Sequence, residues 1–207
     1  MSANRVEKLV YWYLRFNGYL TVENFTIHPN FKRDPEAEAD ILAVRFPFSV
    51  EDPRRFTFER DSNLTIPDCI DFIIGEVKSS RCDINPSWCE PDRENIQYAL
   101  RWLGYWREDE IEAISQSVYD NKVWISDTAS VRFVCFGKDE NVDLRQNYPS
   151  LKQILLVSMM DFVRNRLTTG CLKLHRENWD SYIQNLVELI NHGLETEGLI
   201  AWTLQKE

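Results

Sequence analysis

Apolar residues near the start of the chain fall at helical spacing, with Val6, Leu9, Val10, Tyr13 and Leu14 on one face. That spacing predicts a helix over 4–17, capped by Asn4 and closed by Gly18. The period then changes. Apolar runs at 19–27, 38–44 and 71–77 are bounded by polar and turn-forming residues and read as strands. Helical spacing returns at Ile96, Ala99, Leu100 and Leu103, predicting a helix over 92–106, and at Ile111, Ile114 and Val118, predicting another over 108–119. Strands are expected at 131–136 and 153–157. The second should lead into a helix ending near 168, with Ser158 at its cap and Asp161 in the reciprocal capping position. A last helix is expected over 177–195, where Trp179, Ile183, Leu186, Val187, Ile190 and Leu194 form a stripe suited to a core or a subunit interface. This pattern predicts an α/β (α+β) fold, a central mixed sheet flanked by helices, with further helices at the C-terminus.

Two stretches break the pattern. Residues 47–67 hold three prolines together with Arg54, Arg55, Arg60 and a short β-like piece at 55–59, as expected for a hairpin or ordered loop between strands. Residues 80–91 are irregular and leave the sheet directly after Lys78, so they could line a cleft. Trp88 in this stretch either stacks on a base or pins the loop to the core, and pinning is the commoner use. There is no Gly-rich phosphate loop and no internal repeat.

The chemistry concentrates in Asp71-Phe72-Ile73-Ile74-Gly75-Glu76-Val77-Lys78, an apolar strand that ends in Glu-x-Lys. Residues two apart on a strand project from the same face, so Glu76 and Lys78 stand together. Charges at the end of a buried strand are costly unless they pair or serve a site. Upstream, Asp40 opens the run Ile41-Leu42-Ala43-Val44. If the two strands pair, Asp40 and Glu76 meet at one edge beside Lys78. Two carboxylates and an ammonium so placed make a magnesium site with a cation over it. A second acid-x-Lys, Asp120-Asn121-Lys122, follows a helix and precedes its strand, so it does not fit that placement.

Asp40 with Glu76-Val77-Lys78, in this order of elements over about 4–168, resembles the PD-(D/E)xK superfamily, particularly its Holliday-junction-resolvase and Mrr-like members. The resemblance implies a restriction-endonuclease-like αβββαβ core and a nuclease that hydrolyses DNA, or less directly RNA, phosphodiester bonds. It implies Mg²⁺, with Mn²⁺ as a substitute, held by Asp40, Glu76 and the Val77 carbonyl, and Lys78 orienting water or neutralising charge on phosphorus. Cleavage would leave a 5′-phosphate and a 3′-hydroxyl. By position, Glu7 matches a glutamate that some members carry on the first helix, and Gln97 a glutamine on the helix after the Glu-x-Lys strand. Ala39 stands where the family has proline, whereas Pro67-Asp68 matches the Pro-Asp literally. Asp68 therefore remains the alternative to Asp40. An inactive nuclease-fold protein that binds nucleic acid or scaffolds a complex, and an acidic protein-interaction module, are the competing readings.

Composition adjusts the picture. With 207 residues, the chain has room for one domain over 1–207: a core at about 4–168, an insertion at 47–67 and a helical extension over 169–207. No apolar run is long enough to span a membrane, the N-terminus does not resemble a signal peptide, and five scattered cysteines suit a reducing compartment. The expected setting is the cytoplasm, or the nucleus in a eukaryote, and not secretion. The net charge of −9 runs against a polyanionic substrate. Arg164, Arg166, Lys173, His175 and Arg176 form an acid-free stretch over 162–176, the segment expected to contact phosphates, unless it is only a solvated surface. A homodimer or a partner subunit stays open.

Overall fold

A computed structural model of the chain describes residues 4–27, 37–49, 60–169 and 179–205. The first helix, α1 (Arg5–Phe16), starts where the Asn4 side chain accepts the Val6 N–H at 3.1 Å. It is followed by Gly18 at φ 85°, a conformation that L side chains resist. Three strands follow: β1 (Leu20–Ile27), β2 (Ala37–Arg45) and β3 (Ile70–Val77). Next come α2 (Asn95–Leu103), α3 (Glu108–Asn121), β4 (Val123–Ile125) and β5 (Ala129–Gly137). The chain continues through α4 (Val142–Asn147), β6 (Lys152–Leu155), α5 (Leu156–Thr168), α6 (Ser181–Asn191) and α7 (Thr196–Thr203).

The six strands form one mixed sheet in the order β1-β2-β3-β5-β4, with β6 joined to the later half of β5. β3 runs parallel to β5, as β6 does, while β1, β2 and β4 pair antiparallel with their neighbours. β3 lies at the centre, which explains its unbroken apolar run: a strand covered on both faces has no reason to alternate. On one face Ile73 and Phe136 pack with Leu9, Tyr13, Met160 and Ile183 of the helices α1, α5 and α6. On the other, Phe72, Ile74 and Phe133 pack with Trp88 and with Ile96 and Leu100 of α2. Each fully buried side chain of this kind contributes about 1.5–3 kcal/mol. Gly75 is set by this packing, because a Cβ there would lie 2.5 Å from Ile41 Cγ2 and 3.1 Å from Phe136 Cε2.

The C-terminal half departs from the expected boundaries. Ser158 does not cap its helix: α5 begins at Leu156, and the Ser158 hydroxyl donates back to the Leu155 carbonyl at 2.8 Å. Asp161 accepts from the Thr196 hydroxyl instead of a backbone N–H, tying α5 to α7. The last expected helix, 177–195, is shorter as found, α6 covering Ser181–Asn191, and α7 beyond it was not expected. Asp180 caps α6, and Gly193 at φ 84° lies just past its end, before α7 begins. The 55–59 piece of the insertion lies outside the described residues. No helix among the described residues is long and apolar enough to cross a membrane.

The first residue of β3 to be fully buried is charged. Asp71 accepts hydrogen bonds from the Tyr19 hydroxyl, from Ser130 Oγ at 2.8 Å and from Arg132, whose Nε lies at 3.0 Å. Arg132 lies on β5, in register two residues further along the sheet. Removing one partner of a buried pair strands the other charge, at a cost of about 3–5 kcal/mol. Arg132→Met should therefore lower the free energy of urea unfolding by roughly that amount. The double change Asp71→Asn with Arg132→Met should cost clearly less. Equal losses in the two variants would contradict this account of the cluster.

Candidate active site

The β2–β3 ladder stops at the Ile41–Gly75 pair, and the acids stand where the strands part. Asp40 Oδ2 takes the place of a ladder carbonyl and accepts the Val77 N–H at 2.6 Å. Alternation along β2 slips at this point. Ala37 and Ala39 join the core under α2 and α3, whereas Ile41 and Ala43 join the core under α1. Asn24, the residue of β1 facing Asp40, is skipped in the pairing and has φ 51°. Irregular pairing on both strands thus frees the Asp40 carboxylate from the regular pleat.

Glu76 ends β3 almost wholly buried, at 2% exposure. Lys78 lies just beyond the strand, held by its N–H to the Phe136 carbonyl at 2.8 Å, and its Nζ donates to Glu76 Oε2 at 2.7 Å. The Lys78 side chain is one-third exposed, so the ammonium sits between the buried acid and solvent. Burial pushes the Glu76 carboxyl above its ordinary range, against the opposing pull of Lys78, and the Asp40 charge adds to the rise. Asp40 is raised for the same first reason, with the Val77 N–H and Lys78 opposing. Burial pulls Lys78 down, but Glu76 and Asp40 outweigh it and hold the ammonium above its ordinary value. Lys78 is therefore a cation at neutral pH and not a general base.

Glu7, on α1, lies within electrostatic reach of Asp40. Its carboxyl is raised by burial first and by Asp40 second. Val77 is buried at the end of β3, beside the Asp40 carboxylate. Asp68 is exposed ahead of β3, at the opposite end of the strand from Glu76. Six strand residues at about 3.3 Å each separate those ends by roughly 20 Å. The geometry thus puts Asp40, and not Asp68, beside the Glu-x-Lys. Gln97 is committed to α3, its amide oxygen accepting the Tyr119 hydroxyl at 3.1 Å. Lys122 of the second acid-x-Lys is buried at the end of α3, with Nζ bonded to the Tyr119 carbonyl at 2.8 Å.

The expected basic surface is partly consumed. Arg164 pairs with Glu195 at 2.6 Å, an acid that the next part of the fold brings over the acid-free run. Arg166 lies over the Phe162 ring. Arg60 donates to the Pro47 and Ser49 carbonyls at 3.1 and 3.0 Å and so clasps the insertion. Lys173, His175 and Arg176, like Arg54 and Arg55, lie outside the described residues.

Trp88 is the contributor whose part in the site the sequence did not disclose. Its ring is fully buried and packs on Phe133, pinning the 80–91 loop to the core. Its indole N–H faces Glu76 and favours the anion, without a hydrogen bond of normal geometry. A bulky residue ten or so positions after a Glu-x-Lys carries no signal of that contact.

No family model, no curated protein and no solved structure matches the chain. The chemistry must be judged on the donor set itself. Among the described residues no three His, Cys, Asp or Glu side chains are grouped to enclose a metal. Two carboxylates and a backbone carbonyl are all-oxygen donors, which suits Mg²⁺, an ion that keeps several of its waters. The unpartnered Trp88 donor beside Glu76 fits a place that receives a further oxygen.

The raised carboxyls fix the sign of a pH effect. A carboxyl whose folded pKa exceeds its unfolded value favours the fold below the unfolded pKa, and that contribution is lost as pH rises through the folded value. Asp40→Asn keeps an oxygen for the Val77 N–H and removes the half-buried charge. The variant should therefore melt higher than wild type at neutral pH, with the gap closing as pH falls through the raised Asp40 value and gone once it is below the ordinary aspartate range. A variant that melts lower at neutral pH would show that the Asp40 charge is held by pairing and not merely tolerated.

Proposed function

We propose that the chain is a metal-dependent nuclease that hydrolyses DNA phosphodiester bonds, built on a restriction-endonuclease-like core. One observation carries the reading: a buried and a half-buried carboxylate, both with raised pKa values, and one ammonium converge where β2 and β3 separate. Strand order supports it, since α1, three antiparallel strands, α2, and β5 parallel to β3 follow the αβββαβ succession that the motif implies. The sequence resemblance agrees with both.

In this reading Asp40 and Glu76 hold Mg²⁺, with the Val77 carbonyl adjacent and Glu7 adding negative potential. The ion, when bound, supplies Lewis acidity toward the phosphodiester and a more acidic water. The chain's own residues set the rest. Asp40 is oriented by the Val77 N–H. Glu76 is held by Lys78 and faced by the Trp88 N–H, so its carboxylate has little freedom to turn. Lys78, cationic and facing solvent, stands where charge grows on the phosphate oxygens, and a fixed cation there is worth most in a site that excludes water. Gln97 and Arg164, being engaged elsewhere, take no part.

Cleavage of single-stranded, duplex and branched DNA with Mg²⁺ or Mn²⁺ tests the proposal. Wild type should cut in a metal-dependent way, and Lys78→Ala, Glu76→Gln and Asp40→Asn should each lose about 10²–10³-fold or more. Asp68→Asn should keep most of the activity. Independently of activity, millimolar Mg²⁺ should raise the melting temperature of wild type and not of Glu76→Gln, because a ligand that binds only the folded state stabilises it. A wild-type protein that neither cuts nor gains stability from the metal would leave Glu76–Lys78 as a structural ion pair and sink the proposal.

A further inference from the structure

Among the described residues β1 forms one edge of the sheet, and the stretch ahead of the irregularity at Asn24 is poorly guarded. Natural edge strands are usually protected by outward charges, proline, bulges or a covering element. The one charged residue of β1, Glu23, is turned toward α1, where Lys8 Nζ donates to both its oxygens at 2.9 and 2.8 Å. Large apolar side chains gather beside the same edge. Leu20 and Val22 come from β1, Phe46 and Phe48 follow β2, and Trp102 and Tyr105 lie at the end of α2. Leu20 is 61% exposed, Phe48 86% and Trp102 53%. All but Phe48 line a single hollow of about 420 Å³.

The chemistry of this face selects its occupant. None of the six side chains carries a charge, so the face offers no cation to the phosphates of a polyanion. Two copies of a chain with net charge −9 repel wherever their acids approach, and an uncharged apolar face is where contact costs least. Taking roughly 150–250 Å² for a whole aromatic side chain, the six present on the order of 600 Å², near the about 800 Å² per partner of a standard stable interface. The edge also supplies its own complement. A strand paired antiparallel with its counterpart is two-fold symmetric, so one patch serves both partners and the outer N–H and C=O groups find partners.

We propose that a second copy of this chain covers the face, with the two β1 strands paired antiparallel across a two-fold axis. The hollow lies at the Leu20 end of β1, while Asp40 faces Asn24 further along, so the dimer leaves the acids accessible. The proposal does not depend on the nuclease reading.

Sedimentation equilibrium across the micromolar range tests it, together with amide hydrogen exchange at low and high protein concentration. Wild type should pass from one to two chain masses, and the β1 amides should gain protection as it does. Val22→Lys puts a charge on the edge, and Phe48→Glu changes a side chain that faces solvent and so leaves folding intact. Each should raise the dissociation constant at least about tenfold, about 1.4 kcal/mol, with an unchanged circular dichroism spectrum. A wild type that stays monomeric throughout overturns the proposal. So does a dimer that both variants leave unchanged, or one that forms without β1 protection.

Discussion

The rest of the structure depends on a constraint carried by β3. A strand at the centre of a sheet, covered on both faces, can hold a charge only where donors reach it, and β3 holds one near each end. The two are answered differently. Asp71 receives two hydroxyls and a two-pronged guanidinium, which fills the roughly four acceptor sites a carboxylate has. Glu76 receives one ammonium, with the indole of Trp88 near it but not hydrogen-bonded to it. One carboxylate is saturated and serves the fold. The other keeps acceptor capacity, stays costly to ionise, and has a second such carboxylate beside it.

That contrast separates a structural acid from a candidate reactive one without reference to any relative. A saturated buried carboxylate has nothing left for a ligand, whatever its burial. An under-saturated pair at a strand end persists at a cost to stability, and such costs collect at functional sites. Gly75 belongs to the same economy of space. It lets Ile41 close against β3 immediately before the strands part, so the divergence at Asp40 starts from a tight contact and not from a loose one.

Much of this was legible in the sequence because it is local. The helical stripe from Val6 to Leu14, the Asn4 cap and the central strand all follow from spacing that neighbouring residues enforce. The strand-end placement of Glu76 and Lys78 was readable for the same reason. Asp40 required one further step, the pairing of two apolar runs, and the pairing found is antiparallel with Asp40 at its end. What stayed hidden depends on contacts distant in sequence. Tyr19 and Arg132 converge on Asp71 from 52 and 61 residues away, and Glu195 reaches Arg164 only because α7 packs on α5. The early end of the last expected helix was readable in principle, because Gly193 follows His192, but Leu194 continues the apolar period past it and outweighs one glycine.

Charge pairing across the molecule bears on how a polyanion would be held. Four arginines on the surface are already committed: Arg101 to Glu108, Arg145 to Glu140, Arg93 to Glu90 and Arg164 to Glu195. An arginine so paired releases few counterions on meeting a phosphate, because its charge is already partly balanced. In a chain of net charge −9, phosphate attraction among the described residues would then fall on Lys78, on the exposed Arg81 and Lys138 in the segments beside it, and, in the proposed reading, on an ion held by Asp40 and Glu76. Grip concentrated at the reacting phosphate, and not spread along the backbone, gives weak binding with a shallow dependence on salt. In the proposed reaction such a grip would also place the binding energy where it differs most between ground state and transition state, which is the only place where it accelerates a reaction.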